Sequence, residues 1–285
     1  MKVGFVTCVQ LGLHCLEAVD LHGGRFSVIV TLPDDSARAK SGRVDLDDFA
    51  ARTATPLLKV PNINDSACVE HLRELQLDWL MIIGWSQIAR APVLNVARLG
   101  TLGMHPTLLP KGRGRASIPW AILKGLDETG VTLFKLDEGV DSGPIAAQAR
   151  IPVTPDETAA TLYAKVSEAH ASLLAEAWSA ITDGTLAFRA QDHAAATLWP
   201  GRKPEDGLLA PDLPVLDAER LVRAVTRPYP GAFYDDVAGR LRIWSARVEQ
   251  QGPNSRRGFD AANSLLHLPD GVLQLTDWVA EPRSR

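Results

Sequence analysis

The chain has 285 residues, of which 46% are hydrophobic, and a formal net charge of −4 at pH 7. This length allows one large domain and a smaller one, each with a buried core. The charge gives no general attraction to nucleic acid, and no segment reaches the roughly 18 apolar residues of a membrane span. The N-terminus also lacks the pattern of a signal peptide. We therefore expect a cytoplasmic protein that has no membrane partner and for which a nucleic acid is a less favoured partner than a small molecule.

Three cysteines, Cys8, Cys15 and Cys68, are an odd number and lack the C-x-x-C spacing of zinc and redox sites. An unpaired cysteine in a core behaves as a small hydrophobic residue. We therefore predict structural thiols and no metal site.

The first half of the chain reads as alternating strands and helices. Strands are predicted at residues 2–9, 26–32, 77–83 and 99–104, and helices after Gly12, at 64–75 and from Pro92. Residues 77–83, LDWLMII, form a nearly continuous apolar run, which is typical of a central parallel strand covered on both faces. No G-x-G-x-x-G follows the first strand, so a dinucleotide redox cofactor is not expected.

A polar stretch at residues 33–48 carries Arg38, Lys40 and Arg43. Its composition indicates a solvated surface loop, and a flap over a substrate is the alternative.

Further along, Ser117 is predicted to cap a helix that ends at Gly125, followed by strands at 131–136 and 145–153. Thr154 and Glu157 form a capping-box pattern at the start of a helix to about residue 182. Prolines then mark a linker.

These patterns predict an α/β domain over residues 1–188, a linker over 189–205 and a small β-rich C-terminal domain over 206–285. The first should hold a mostly parallel, twisted, Rossmann-like sheet with helices on both faces.

Several residues with useful chemistry follow the predicted strands. The turn that begins with Gly84 and Trp85 comes after the apolar run, and His105 comes after the next strand. In an open α/β sheet, ligands bind beyond the carboxyl ends of the strands. Asp141 lies in a loop between two later strands and within plausible reach of His105. The sequence thus predicts a pocket at this edge, although Trp85 could instead be an ordinary core aromatic.

Four sequence segments resemble the folate-dependent formyltransferases, the family of methionyl-tRNA formyltransferase, glycinamide ribonucleotide transformylase and the sugar N-formyltransferases. They are HPTLLP at 105–110, RGRA at 113–116, ETGVTLFKLDEGVDSGPI at 128–145 and RAVTRPYPGAFYDDVAGRLRIWSARV at 223–248. Together, and in this order, they extend the resemblance over nearly the whole chain.

The resemblance implies a catalytic group of Asn, His and Asp. His105 and Asp141 match the last two, whereas Gly103 stands at the Asn position. His105 would be the base for the attacking amine, and Asp141 would fix its tautomer and favour its protonated form. Because Gly103 has no side-chain donor, we expect a backbone N–H or an ordered water in the vacated space to serve the oxyanion instead.

The resemblance also implies the co-substrate, 10-formyltetrahydrofolate, and the residues that bind it. These are Gly84, Trp85, Ser86, Gln87, Ile88, Asp137, Glu138, Gly139 and Val140. Arg113 and Arg115 are interpreted either as part of a solvated loop or as an anion clamp for the acceptor, and Thr107 is assigned to the acceptor as well.

The expected function is transfer of a formyl group to a primary amine of a small molecule, such as a nucleotide-linked amino sugar. Methionyl-tRNA is the alternative acceptor. The same residues would also suit a 10-formyltetrahydrofolate hydrolase or a non-catalytic folate-binding protein. The expected partners are the amine and the folate. A homodimer is one assembly that we consider.

Overall fold

The structure is a computed structural model that describes residues 1–34, 43–237 and 239–282. The chain divides into two compact units, and both are discontinuous in sequence. The first contains residues 1–114, 129–151 and 165–198, and the second contains residues 115–128, 152–164 and 199–285. The domain boundaries expected from composition remain a prediction.

A seven-stranded sheet organises the first unit among the residues that the structure describes. The first eight strands of the chain are Val3–Val6 (β1), Val28–Thr31 (β2), Leu57–Lys59 (β3), Trp79–Ile82 (β4), Gly100–His105 (β5), Arg113–Gly114 (β6), Glu128–Lys135 (β7) and Ile145–Pro152 (β8). All of them except β6 join the sheet, in the order β3-β2-β1-β4-β5-β7-β8. The pairs from β3 to β5 are parallel, and β5 pairs with β7 in the antiparallel sense. The predicted mostly parallel sheet is confirmed.

The strand β4 lies in the middle of this sheet, between β1 and β5, as its apolar run predicts. Leu80 and Met81 have no exposed surface. In the register of the sheet, Ile82 pairs with Val6 on one side and with Gly103 on the other. The carboxyl ends of β1, β4 and β5 therefore meet at one edge of the sheet.

Helices cover both faces of the sheet, because successive side chains of a strand point to opposite sides. On one face, Leu80 packs in a cluster with Leu72. On the other, the Phe5 ring contacts Phe26, and Phe26 contacts Trp178, with centroid distances of 5.1 and 4.8 Å. The helices of the first unit are Gln10–Leu21, Asp47–Thr53, Ser66–Glu74, Ala91–Leu94 and most of Ala159–Asp183, whereas Ser117–Leu123 belongs to the second unit.

The helix Asp47–Thr53 and the strand β3 were not predicted from the sequence. The helix begins with Asp47 and Asp48, which extend the preceding polar stretch, yet Phe49 and Ala50 are buried. Of the predicted loop or flap, residues 35–42 lie outside the described part of the chain, and with them Arg38 and Lys40.

The predicted capping box at Thr154 does not start the long helix. The Glu157 carboxylate accepts a hydrogen bond from the Thr154 N–H at 3.3 Å, but the helix begins only at Ala159. The Oγ1 of Thr158 accepts from the N–H of Thr161 at 3.2 Å. The cap therefore lies four residues later than predicted, because two cap-forming patterns overlap here.

The predicted cap at Ser117 is also displaced by one position. Ser117 is the first helical residue, and the N-cap is Ala116 in the left-handed conformation. Asp65 is the N-cap of the helix Ser66–Glu74, but its side chain makes no capping hydrogen bond. Capping residue types locate these helix starts to within a residue or two, in agreement with the usual fraying of helix ends.

An antiparallel sheet dominates the C-terminal part of the second unit, so the β-rich prediction is confirmed. The remaining strands are Leu198–Trp199 (β9), Ala232–Asp236 (β10), Gly239–Gln251 (β11), Gly258–Asp260 (β12), Leu265–Leu268 (β13) and Gly271–Glu281 (β14). The last five form a sheet in the order β10-β11-β14-β13-β12. The helix Val215–Val225 buries an apolar face that includes Leu221 and Val222.

The three cysteines are buried thiols that form no disulfide bond, as predicted for core thiols. Burial raises the pKa of the Cys15 thiol to about 12, so this sulfur stays protonated and unreactive. Among the described residues, the helices are too short or too polar to cross a bilayer.

Candidate active site

His105 ends β5 at the carboxyl edge of the sheet, and only 7% of its surface is exposed. Its Nε2 lies 2.8 Å from the carbonyl oxygen of Gly112. Since a carbonyl can only accept a hydrogen bond, Nε2 carries the hydrogen and Nδ1 has a free lone pair in the neutral ring. Nδ1 is therefore the atom of His105 that can take up a proton.

Asp141 faces this lone pair from the loop between β7 and β8. Its Oδ2 lies 3.6 Å from Nδ1 of His105, which is an ion-pair distance once the imidazole is protonated. The same Oδ2 accepts a hydrogen bond of 2.8 Å from the N–H of Gly114, a residue with φ of +106°. A carboxylate in this position stabilises an imidazolium. The expected role in fixing the tautomer was wrong, because the Gly112 carbonyl does this.

Gly103 lies two residues before His105 on the same face of β5. A Cβ added to Gly103 would lie only 2.6 Å from Cδ2 of Leu136. The space on this side is therefore filled by a leucine side chain. The side chain of Leu136 crowds the Cβ position of Gly103, and the expected backbone or water donor for the oxyanion stays a prediction.

The segment from Gly84 to Ile88 follows β4, as predicted for a ligand-binding turn. Gly84 has a φ of +67°, and a Cβ there would lie 2.4 Å from Val9, so the turn requires glycine. Gln87 links the turn to the preceding loop, because it donates to the Pro61 carbonyl at 2.7 Å. Ser86 is exposed, and so is the apolar side chain of Ile88, at 87%.

Trp85 is partly buried and packs against the core residues Cys8 and Leu32. The alternative interpretation of Trp85 as a core aromatic therefore fits the part of its ring that packs against these residues. Its Nε1 is nevertheless buried and has no hydrogen-bond partner within the described part of the chain. A buried N–H without a partner is costly and needs an explanation, and an acceptor on a bound ligand would satisfy it.

The second predicted folate segment, residues 137–140, follows β7 and is exposed. Asp137 organises it, because Oδ1 accepts hydrogen bonds from the Gly139 N–H at 3.0 Å and from the Ser142 hydroxyl at 2.7 Å. Glu138 is exposed, and 60% of the Val140 surface is open to solvent.

The predicted acceptor residues occupy different surroundings. Arg113 is held within the first unit, where its Nη2 donates to Oε1 of Gln191 at 2.6 Å and contacts Nδ1 of His193 at 3.2 Å. Thr107 is buried, and its Oγ1 has no partner among the described residues. Arg115 is exposed and belongs to the second unit.

Two buried residues of this region, Gln191 and His170, were not singled out from the sequence. Gln191 lies in the stretch interpreted as a linker, but it is only 6% exposed and its amide donates to the carbonyl of Asp141 at 2.9 Å. His170 lies on the long helix, and the charge of His105 acts on it. Neither residue belongs to a recognisable motif, so the sequence alone gives no signal for its role.

Two family profiles match the sequence of this chain. The profile of the family described as Formyl transferase matches residues 14–178, more than half of the chain. A second profile, described as Formyl transferase, C-terminal domain, matches residues 202–276. The chain belongs to the formyl transferase family. It is therefore an enzyme that transfers formyl groups, and the predicted resemblance is confirmed.

Individual members of the family are similar over most of their length. A methionyl-tRNA formyltransferase of Agathobacter rectalis is 32% identical over 250 residues, which are 87% of this chain and 80% of that protein. The fold is shared with WlaRD, a sugar 3N-formyl transferase solved with dTDP and 5-N-formyl-THF (TM-score 0.71, 16% identity, 100% of this chain and 98% of that chain). It is also shared with the N-formyltransferase of Helicobacter canadensis, solved with folinic acid and dTDP-3-aminofucose (TM-score 0.70, 16% identity, 99% and 100%).

Proposed function

We propose that this formyltransferase moves a formyl group from 10-formyltetrahydrofolate to a primary amine of a small molecule, and that the amine belongs to a nucleotide-linked amino sugar. The observation that carries the proposal is the pair of His105 and Asp141 at the carboxyl edge of the sheet. In this pair, a free imidazole lone pair lies 3.6 Å from a carboxylate.

The chemistry follows from that pair. Bound 10-formyltetrahydrofolate supplies the formyl carbon that the amine attacks. As the new C–N bond forms, Nδ1 of His105 takes a proton from the amine, and the Asp141 carboxylate stabilises the resulting imidazolium. The same proton can then pass to the departing folate nitrogen, which balances the reaction. The imidazolium and backbone groups stabilise the negative charge that develops on the formyl oxygen, because Gly103 has no side-chain donor.

The two predicted folate segments have surfaces that suit such a ligand. Ile88 and Val140 expose 87% and 60% of their apolar surface, and the Nε1 of Trp85 lacks a partner in the described residues. A folate offers a flat ring system for the apolar side chains and hydrogen-bonding atoms for polar groups. We infer that these segments hold the folate, with no metal.

The acceptor is proposed from composition and from the relatives. Residues 207–285 contain ten arginines, no lysine and ten acidic residues, so this part is nearly neutral rather than basic. A surface that binds tRNA is usually basic. WlaRD and the Helicobacter enzyme, both crystallised with a thymidine diphosphate compound, align with this chain over nearly its whole length. The 32% identity to a methionyl-tRNA formyltransferase makes methionyl-tRNA the second candidate.

Mass spectrometry of products distinguishes these acceptors. The purified protein is incubated with 10-formyltetrahydrofolate and, separately, with a panel of nucleotide-linked amino sugars, simple amines and methionyl-tRNA. We expect a formylated amino sugar and no formate release without an amine. Formate release without an amine would instead indicate a hydrolase.

The dependence of the rate on salt gives an independent test of the acceptor. Binding to tRNA weakens by about 10³–10⁵ between 50 and 200 mM salt when six to ten phosphates are contacted. A small acceptor with two phosphates should lose far less. Formylation of methionyl-tRNA alone, with a steep loss at high salt, would overturn the amino sugar proposal.

A further inference from the structure

Gln191 connects two segments that surround His105. Its Oε1 accepts hydrogen bonds from Nε and Nη2 of Arg113 at 3.1 and 2.6 Å. Its Nε2 donates to the carbonyls of Asp141 and Gly143 at 2.9 and 2.6 Å. An amide side chain has two donor and two acceptor positions, so all four are used. Because Gln191 is only 6% exposed, water cannot easily replace these partners.

The loop that Gln191 holds is conformationally strained. Asp141 has a φ of +49°, in the left-handed region that non-glycine residues rarely adopt. Such a conformation persists when its surroundings hold it in place. Two contacts do so here: the Gly114 N–H binds the carboxylate, and the amide of Gln191 binds the backbone carbonyl of the same residue.

We propose that Gln191 is a positioning residue for formyl transfer. It fixes the Asp141 backbone so that the carboxylate stays within 3.6 Å of His105 Nδ1. This inference rests on the proposed function of the His105 and Asp141 pair. Without the amide, two buried carbonyls lose their donor, the loop relaxes toward an ordinary φ, and the carboxylate moves away from the imidazole.

A double-mutant cycle in the full-length protein tests the proposal. Displacement of a catalytic group by about 1 Å can cost about 100-fold in rate, so Gln191→Leu should lower kcat by roughly 10–100-fold with little change in the KM for folate. In an Asp141→Asn background the same substitution should change kcat by less than about two-fold, because the group that it positions is already lost.

Two further variants control for damage to the fold. Gln191→Glu keeps an acceptor for Arg113 but loses both donors to the loop carbonyls. It should therefore show the same loss of kcat, roughly 10–100-fold, and it keeps the test valid if Gln191→Leu does not fold. Gln274 also donates to two carbonyls, those of Asn263 and Ser264, in the C-terminal sheet. Gln274→Leu should leave kcat unchanged in the folded protein.

The outcomes separate the inference from the proposed function. If Asp141→Asn is strongly impaired but Gln191→Glu and Gln191→Leu lower kcat by the same factor in both backgrounds, or not at all, the positioning role is wrong and the site stands. If Asp141→Asn retains full activity, both the site and the inference are wrong.

Discussion

At Gly103, the missing side chain leaves no empty space beside the candidate catalytic pair. The position lacks the side-chain amide that the family resemblance implies, and Leu136 occupies the direction in which that amide would point. The protein therefore substitutes a packed apolar contact for a donor. Under the proposed function, stabilisation of the formyl oxygen falls to backbone groups and to protonated His105.

We predict that Gly103→Asn lowers stability and does not raise turnover. The new side chain must displace Leu136, and overpacking of this kind costs about 1–3 kcal/mol. In Gly103→Asn combined with Leu136→Ala, the amide has room, and turnover should exceed that of Leu136→Ala alone. Urea denaturation and steady-state kinetics of the three variants measure both effects. Faster turnover in Gly103→Asn alone, at unchanged stability, would contradict this account.

At this scale the sequence predicts the candidate catalytic residues but not the hydrogen bonds that hold them in place. His105 and Asp141 were predicted because each follows a recognisable strand within a recognisable motif. Gln191 was not predicted, because the prolines after it favoured a linker and its partners are backbone carbonyls. Hydrogen bonds to carbonyls leave no trace in residue type, so they cannot be read without coordinates.

The long helix Ala159–Asp183 carries a buried histidine, His170, on which the charge of His105 acts. His170 is 2% exposed, and its Nδ1 donates to the Val166 carbonyl at 2.7 Å. Burial, with a smaller contribution from the charge of His105, lowers the pKa of His170 from 6.5 to about 4. His170 is therefore neutral in the folded protein at neutral pH.

We predict that His170 makes the fold acid-sensitive. Between pH 6.5 and about 4, the unfolded chain binds a proton at this position and the folded chain does not, so stability falls as the pH falls. The full effect of a shift of about 2.5 units is about 3 kcal/mol. Urea denaturation across this range should show a flatter pH dependence for His170→Leu than for the unsubstituted protein.

The matched control is His22, which makes the same contact with a carbonyl four residues earlier, but on an exposed helix end. His22→Leu should keep the pH dependence of the unsubstituted protein. Parallel stability curves for His170→Leu and the unsubstituted protein would contradict a role for the buried imidazole.

At the scale of elements, strands with long apolar patterns were predicted from the sequence, and short elements were not. The run at residues 77–83 identified β4 because a strand covered on both faces needs continuous apolar residues. The three-residue strand Leu57–Lys59 is only half-buried, so its sequence carries no such pattern. The start of the long helix shifted because Thr154 and Thr158 offer two overlapping cap patterns, whereas the N-cap before Ser117 is Ala116.

For the whole molecule, the order of elements predicted the fold class: alternating strands and helices gave a mostly parallel sheet, and the later strands gave an antiparallel one. The acceptor has no comparable signal, because related enzymes on this fold act on different amines. The near-neutral composition of residues 207–285 is the property that favours a small acceptor over tRNA.

The central claim is that His105 and Asp141 perform formyl transfer. The most direct measurement compares turnover of His105→Asn and Asp141→Asn with the unsubstituted protein, with folate affinity measured in parallel. Loss of a positioned acid–base group costs roughly 10²–10⁴ in rate. We expect His105→Asn to lose turnover in that range and Asp141→Asn to lose it strongly, while folate affinity stays within a few-fold in both. Full activity in both variants would contradict the assignment of the site.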